Sequence, residues 1–164
     1  MEGLHKDNAS ASFVGWAYFP SSGAEGIIGT ANAADADGAH LSKATGNALN
    51  WGVRGSSATA LSLVSTAKFN LAEWNFFGVG INEATGANGA DLVVNGVAQS
   101  FTSTYSSPSA SAATRALGLA ARNGAGLAAM QNGGRIAMVA GRSSRLTAAQ
   151  LLAIDQATRR RFGV

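Results

Sequence analysis

The sequence contains no cysteine. Thiol nucleophiles, cysteine-ligated zinc and disulfide cross-links are thereby excluded, and the redox compartment stays open. Charge is scarce: 13% of the 164 residues are Asp, Glu, Lys or Arg, about half the share usual in globular domains. No apolar run reaches the roughly 18 residues of a membrane-spanning helix. The opening residues, Met1-Glu2-Gly3-Leu4-His5-Lys6-Asp7, lack the apolar stretch of a secretory signal. With Met1 as the true start, the expectation is synthesis and assembly in a cytoplasm.

Glycine, alanine and serine fill the space that charges leave, and 46% of the chain is hydrophobic. A chain of this length suits one domain and needs no covalent staple to bury a core. Its charges are unevenly placed. Residues 1–110 hold four basic and eight acidic side chains, whereas residues 111–164 hold eight basic and one acidic. The arginines are spread over strands and one helix end, not gathered in a tail. Apart from Phe162, that region has no aromatic residue on which a base could stack. No nucleic-acid partner is expected.

Residues 1–10 read as a polar arm and 11–164 as one domain. Short apolar stretches separated by Gly, Asn, Ser and Asp turns predict strands over 12–19, 26–30, 40–43, 48–54, 59–66, 74–81, 91–94, 97–102, 115–122 and 135–141. Both faces of 12–19 are apolar: Phe13, Ala17 and Phe19 against Val14, Trp16 and Tyr18. That strand is therefore expected either to be central and covered twice or to meet a partner on one side. Asn95-Gly96 between two such runs predicts a tight hairpin, because both positions accept positive φ. Residues 32–38, 83–89 and 103–114 read as loops. A single helix is predicted at the end. Thr147-Ala148-Ala149-Gln150 forms a capping box. Leu151, Ile154 and Thr158 fall on one face, Arg159, Arg160 and Arg161 sit where cations offset the macrodipole, and Gly163 marks the stop. The fold class is all-β: an antiparallel two-sheet jelly-roll sandwich with one short C-terminal helix.

Four segments carry a resemblance. They are the aromatic strand Ala11-Ser12-Phe13-Val14-Gly15-Trp16-Ala17-Tyr18-Phe19-Pro20, the Trp-led strand Glu73-Trp74-Asn75-Phe76-Phe77-Gly78-Val79, the hairpin Asp91-Leu92-Val93-Val94-Asn95-Gly96, and residues 135–142 leading into Leu146-Thr147-Ala148-Ala149-Gln150. In this order they resemble the concanavalin A-like lectin/glucanase superfamily, in its laminin-G-like and pentraxin-like branch. Longer members of that group begin with an extra strand, for which only residues 1–10 stand here. The resemblance implies one edge strand missing or supplied by a neighbouring chain, and a sheet edge in need of cover.

The resemblance also frames the chemistry. Glycosidases of the superfamily use closely spaced carboxylates on a strand, whereas Glu73, Glu83 and Asp91 stand apart near turns. No catalytic residues are assigned, and the chain is not expected to be an enzyme. Calcium is common in the related branches. Asn32, Asp35 and Asp37, followed by Gly38, offer oxygens in one loop, but no glutamate closes an EF-hand pattern. The plainer reading is a solvated loop with no cofactor. His5 and His40 read as surface histidines. Gly78-x-Gly80 and Gly124-x-Gly126 lack the third glycine of a dinucleotide site and read as sheet and turn positions. Trp16, Trp51 and Trp74 lie in apolar strands, where a core role is the first reading and stacking on sugar the second.

Two functions follow. The first is a non-catalytic virion protein of a bacteriophage, a capsid decoration or tail-associated component that self-associates and docks on other virion proteins. Phage structural proteins with this module often end in a helix and an aromatic-Gly tail, as Arg161-Phe162-Gly163-Val164 does. The alternative is a lectin-like carbohydrate-binding module recognising host-surface glycans. Its loops would use Asn32, Asp35, Asp37, Glu83, Asn88 and Tyr105 toward glycan or partner.

Overall fold

A computed structural model describes residues 10–30, 38–55, 58–82, 85, 89–105, 117–120, 130 and 133–164. Two antiparallel sheets face each other. The first contains β1 (Ser10–Tyr18), β6 (Trp74–Asn82), β7 (Ala90–Val94), β8 (Val97–Ala98) and β11 (Arg135–Arg142), in the order β11-β1-β6-β7-β8. The second contains β2 (Glu25–Gly29), β3 (Ala39–Lys43), β4 (Ala48–Gly55), β5 (Ala58–Lys68), β9 (Phe101–Tyr105) and β10 (Gly118–Leu119), in the order β10-β2-β3-β4-β5-β9. A helix, α1 (Ala148–Arg159), lies on the outer face of the first sheet. It is too short to cross a membrane, and no other helix is present among the described residues. The fold is the jelly-roll sandwich with one C-terminal helix that the sequence predicts.

The main core lies between the sheets. From the first come Phe13, Ala17, Phe77, Val79, Ile81, Leu92 and Val94, and from the second Leu41, Leu49, Trp51, Val53, Leu61 and Leu63. These are the alternate positions of each strand, as a period of two requires. Phe13 and Trp51 stack across the sandwich with ring centroids 5.3 Å apart. The other face of the first sheet builds a second core, in which Val14, Trp16, Phe76 and Val93 meet Leu146 and Leu151. β1 is therefore central and buried on both faces, the first of the two outcomes its double apolar pattern allows.

The approach to the helix is fixed at two points. The Ser12 hydroxyl donates to the Ser144 carbonyl (2.8 Å) and accepts from the Leu146 amide (2.7 Å). Gly80 lets the Leu146 backbone sit directly on β6: a Cβ there would lie 2.0 Å from the Leu146 carbonyl oxygen. Gly78 similarly faces Leu151. The pair is thus a docking surface for the helix within the sheet. The capping box forms as predicted. The Gln150 amide donates to the Thr147 hydroxyl (3.4 Å) and the Gln150 side chain accepts from the Thr147 amide (2.9 Å).

Several local expectations change. The single strand predicted over 97–102 is two strands in different sheets, β8 and β9, and 103–105 belongs to β9 instead of a loop. Of the strand predicted over 115–122, the described part is the short β10. His40 is buried at 6% exposure. Its Cβ lies against Gly29 and its ring over Gly52, in a slot these two glycines leave on the outer face of the second sheet. Lys43 and Glu25, at strand ends in the sequence, are fully buried and paired at 3.2 Å. Lys43 also donates to the Ser21 and Gly23 carbonyls and lies over the Phe19 ring.

Candidate functional site

At one end of the first sheet, a hydrogen-bonded network holds three asparagines. Asn95 (φ 48°) and Gly96 (φ 79°) form the predicted hairpin turn between β7 and β8. The Asn95 carbonyl oxygen on its side chain accepts from the Phe76 amide (2.8 Å), and its Nδ2 donates to Asn75 Oδ1 (2.8 Å). Asn75 is fully buried. Its Nδ2 donates to the backbone carbonyls of Asn70 (2.8 Å) and Glu73 (2.9 Å), and its Oδ1 accepts from the Asn70 amide (2.8 Å). The Asn70 side chain in turn donates to Glu73 Oε2 (2.9 Å). A buried amide satisfied on every side fixes the backbone around it. The turn 70–73, which contains Ala72 at φ 57°, is therefore a rigid platform that delivers Glu73 and Trp74.

Above this platform is a small cavity of about 240 Å³, lined by Trp16, Asn70, Glu73, Trp74, Asn95, Arg159 and Val164. Trp74 is half-buried and held from two sides. Tyr18 meets it edge-on at 5.9 Å and Phe162 at 5.4 Å. Trp16 is buried. It stacks on Phe162 at 4.5 Å, and its indole N–H donates to the Thr158 hydroxyl (2.8 Å). The chain beyond α1 is thus anchored over the second core by Phe162, which places Val164 in the cavity wall.

Arg159 supplies the cation. Its Nη2 donates to Asp155 Oδ2 at 2.7 Å, one helical turn earlier. Gly96 makes room for this pair, since a Cβ there would lie 2.4 Å from Arg159 Nη2. Asp155 is fully buried, and its Oδ1 has no hydrogen-bond partner among the described residues. The cavity therefore presents an indole, two side-chain amides, one exposed carboxylate and one guanidinium on a preformed frame. Such a set matches the hydroxyls and the apolar ring faces of a sugar: an apolar wall with a few convergent polar groups.

Of the residues nominated from sequence for glycan or partner contacts, Asn32, Asp35, Asp37, Glu83 and Asn88 lie outside the described residues, as does His5. Tyr105 ends β9, paired in register with Leu61 on β5, away from the Trp74 cavity. Among the described residues no cluster of three His, Asp or Glu could hold a metal ion. Asp91 is not isolated: Arg145 donates to its Oδ2 at 2.7 Å. Trp16 and Trp51 are core residues, as first read, whereas Trp74 is half-buried and lines the cavity. The sequence reading missed Asn70, Asn75, Asn95, Asp155 and Arg159 as members of one site. The usable signals were an Asp on the inward face of the helix and a polar Asn75 within an otherwise apolar strand.

No family model matches the sequence, and no curated protein matches it. Solved structures do match in shape. The laminin G-like domains 4–5 of the mouse laminin alpha1 chain superpose with a TM-score of 0.61 at 12% identity, over 90% of this chain and 39% of that one. The SAP-like pentraxin of Limulus polyphemus gives 0.58 at 10% identity, over 91% of this chain and 72% of that one. Botulinum neurotoxin type C, whose uptake by cells is dependent upon interaction with two ganglioside molecules, gives 0.63 at 10% identity, over 93% and 36%. Sialidases also occur among the matches. The chain spans about two-fifths of the laminin chain and about a third of the toxin chain. At 10–12% identity these likenesses show the fold alone, a two-sheet jelly-roll sandwich.

Proposed function

We propose that this domain is a carbohydrate-binding module that seats a sugar ring against Trp74. The observation that carries the reading is the half-exposed, immobilised indole beside amide, carboxylate and guanidinium groups in one small cavity. The indole face is electron-rich and attracts the C–H face of a pyranose. Glu73 accepts from ring hydroxyls, and Arg159 and the amides of Asn70 and Asn95 donate to them. The cavity is smaller than the roughly 300–1,000 Å³ typical of drug-sized ligand sites, so it suits one ring at the end of a glycan. The toxin that interacts with gangliosides shares the fold, which supports the same direction.

Binding is favoured over cleavage. Glycoside hydrolysis needs two carboxyl groups facing one bond. Among the described residues Glu73 is the sole side-chain carboxylate of the cavity lining, and Asp155 is buried and paired with Arg159. The virion role receives no comparable support from the matched structures.

Calorimetric titration with a panel of methyl glycosides and short glycans tests the reading. Trp74→Ala, with its fold checked by circular dichroism, is expected to lose at least tenfold in affinity. Full affinity in that variant, or no saccharide bound by the unmodified chain, would remove the proposal.

A further inference from the structure

We infer that the Trp74 cavity selects an uncharged sugar ring over carboxylated or sulfated ones, and that Asp155 sets this preference by neutralising Arg159. The inference rests on the glycan-binding reading of the same cavity and adds its ligand class.

Among the described residues, Arg159 is the only cation in the lining. An unpaired arginine there would favour anions, through bidentate contacts to carboxylate or sulfate. Its charge is already met. Asp155 is fully buried and accepts from Arg159 Nη2 at 2.7 Å. Breaking a buried pair leaves an uncompensated group in the interior, so the two act as a fixed unit. The guanidinium then offers its remaining N–H donors to hydroxyls without presenting a net positive charge.

Two further features repel anions. Glu73 places a carboxylate on the lining, and the hydrogen bond it accepts comes from the neutral amide of Asn70. Arg159 also stands in the last turn of α1, where the unsatisfied helix carbonyls carry partial negative charge. One cation therefore faces two carboxylates and the negative end of a helix.

Other arginines lie nearby but outside the lining. Arg160 and Arg161 are exposed at the helix end, and Arg135 sits over the Tyr18 ring. Water and salt screen them over a Debye length of about 8 Å at 0.15 M ionic strength. They draw anions to the surface in dilute buffer and do not enter the cavity.

The balance also makes Asp155 a residue whose role is legible apart from stability. Burying a carboxylate with one oxygen unpartnered among the described residues is costly. A helix packed on an apolar sheet gains nothing from it that Leu or Ala would not supply. Holding Arg159 in a neutral pair is what the aspartate adds.

The test uses the full chain in 0.15 M NaCl. Methyl glycosides of glucose, galactose and mannose are compared with those of N-acetylneuraminic acid and glucuronic acid and with galactose 6-sulfate. At least one neutral glycoside is expected to bind tenfold or more tightly than every acid. Asp155→Asn exposes the charge of Arg159 and is expected to move the acid-to-neutral affinity ratio about tenfold toward acids. Glu73→Gln, an exposed change that spares the core, is expected to move it the same way by a smaller factor. A merely structural aspartate would lower both affinities together and leave the ratio unmoved. That result, or tighter binding of an acid by the unmodified chain, would overturn the inference while leaving the glycan reading in place. Failure to bind any sugar would remove both.

Discussion

At the scale of single residues, the least expected feature is the buried Lys43–Glu25 pair. Two charged side chains with no exposure sit where alternation alone would ask for apolar groups. Lys43 bonds to backbone carbonyls at 21 and 23 and to Asn47, so it ties the turn after β1 to the start of β4. Lys43→Met removes one member and leaves the Glu25 carboxylate buried. The expected loss is about 3–5 kcal/mol in chemical denaturation. Lys43→Met with Glu25→Leu is expected to recover most of it; if the double variant is no more stable than the single one, the pair is not the cause. Neither residue was legible in the sequence, and the reason is general. Alternation tells which face a strand residue takes, but neither what covers that face nor which partner a polar side chain on it will find. His40 was misjudged for the same reason, since Gly29 and Gly52 create its slot from two other strands. Asp155 was missed because an aspartate on a helix is solvated by default, and only the Arg159 and Gly96 contacts show otherwise.

At the scale of elements, agreement follows the strength of local signals. The capping box over Thr147–Gln150 and the Asn95-Gly96 turn are complete in a few adjacent letters, and both form as predicted. The corner between β8 and β9 is not. It contains neither glycine nor proline, and Gln99 turns it by side-chain bonds. Gln99 Oε1 accepts from the Ala67 amide (2.9 Å) and its Nε2 donates to the Val97 carbonyl (2.8 Å). A partner more than thirty residues away decides that bend, so the local pattern reads as one strand. The helix–sheet contact has the converse logic: its specificity lies in missing atoms. Gly80→Ala forces the Leu146 backbone off β6 and is expected to cost about 1–3 kcal/mol in a denaturation midpoint with little change in slope. A neutral result would show that the approach to α1 is slack.

At the scale of the molecule, two cores share one sheet. The first sheet is buried on its inner face by the second sheet and on its outer face by the helix and its tail. The chain closes late, because β1 pairs with β11 in a register that joins Ser12 to Arg142. Contacts so distant in sequence form slowly, which puts folding in the millisecond-to-second range of sandwich proteins. Ending the chain after Arg145 deletes the helix and uncovers Val14, Trp16, Phe76 and Val93. The truncated chain is expected to keep its β circular dichroism, bind the dye ANS and aggregate as concentration rises. A soluble, dye-negative truncation would show that the outer face of the sheet is not apolar enough to need its cover. The Trp74 cavity would be lost with the same cut, since Arg159 and one wall of it belong to the deleted segment.

The three tryptophans are unequal in their access to solvent, and this makes the protein its own optical probe. Trp16 and Trp51 are sealed at 1% and 2% exposure, whereas Trp74, beside Trp16 in the cavity wall, is only half-buried. A collisional quencher such as acrylamide will reach one indole of the three. The emission it extinguishes, and the red edge of the spectrum that shifts when a sugar enters, both belong to that one ring, with no label attached.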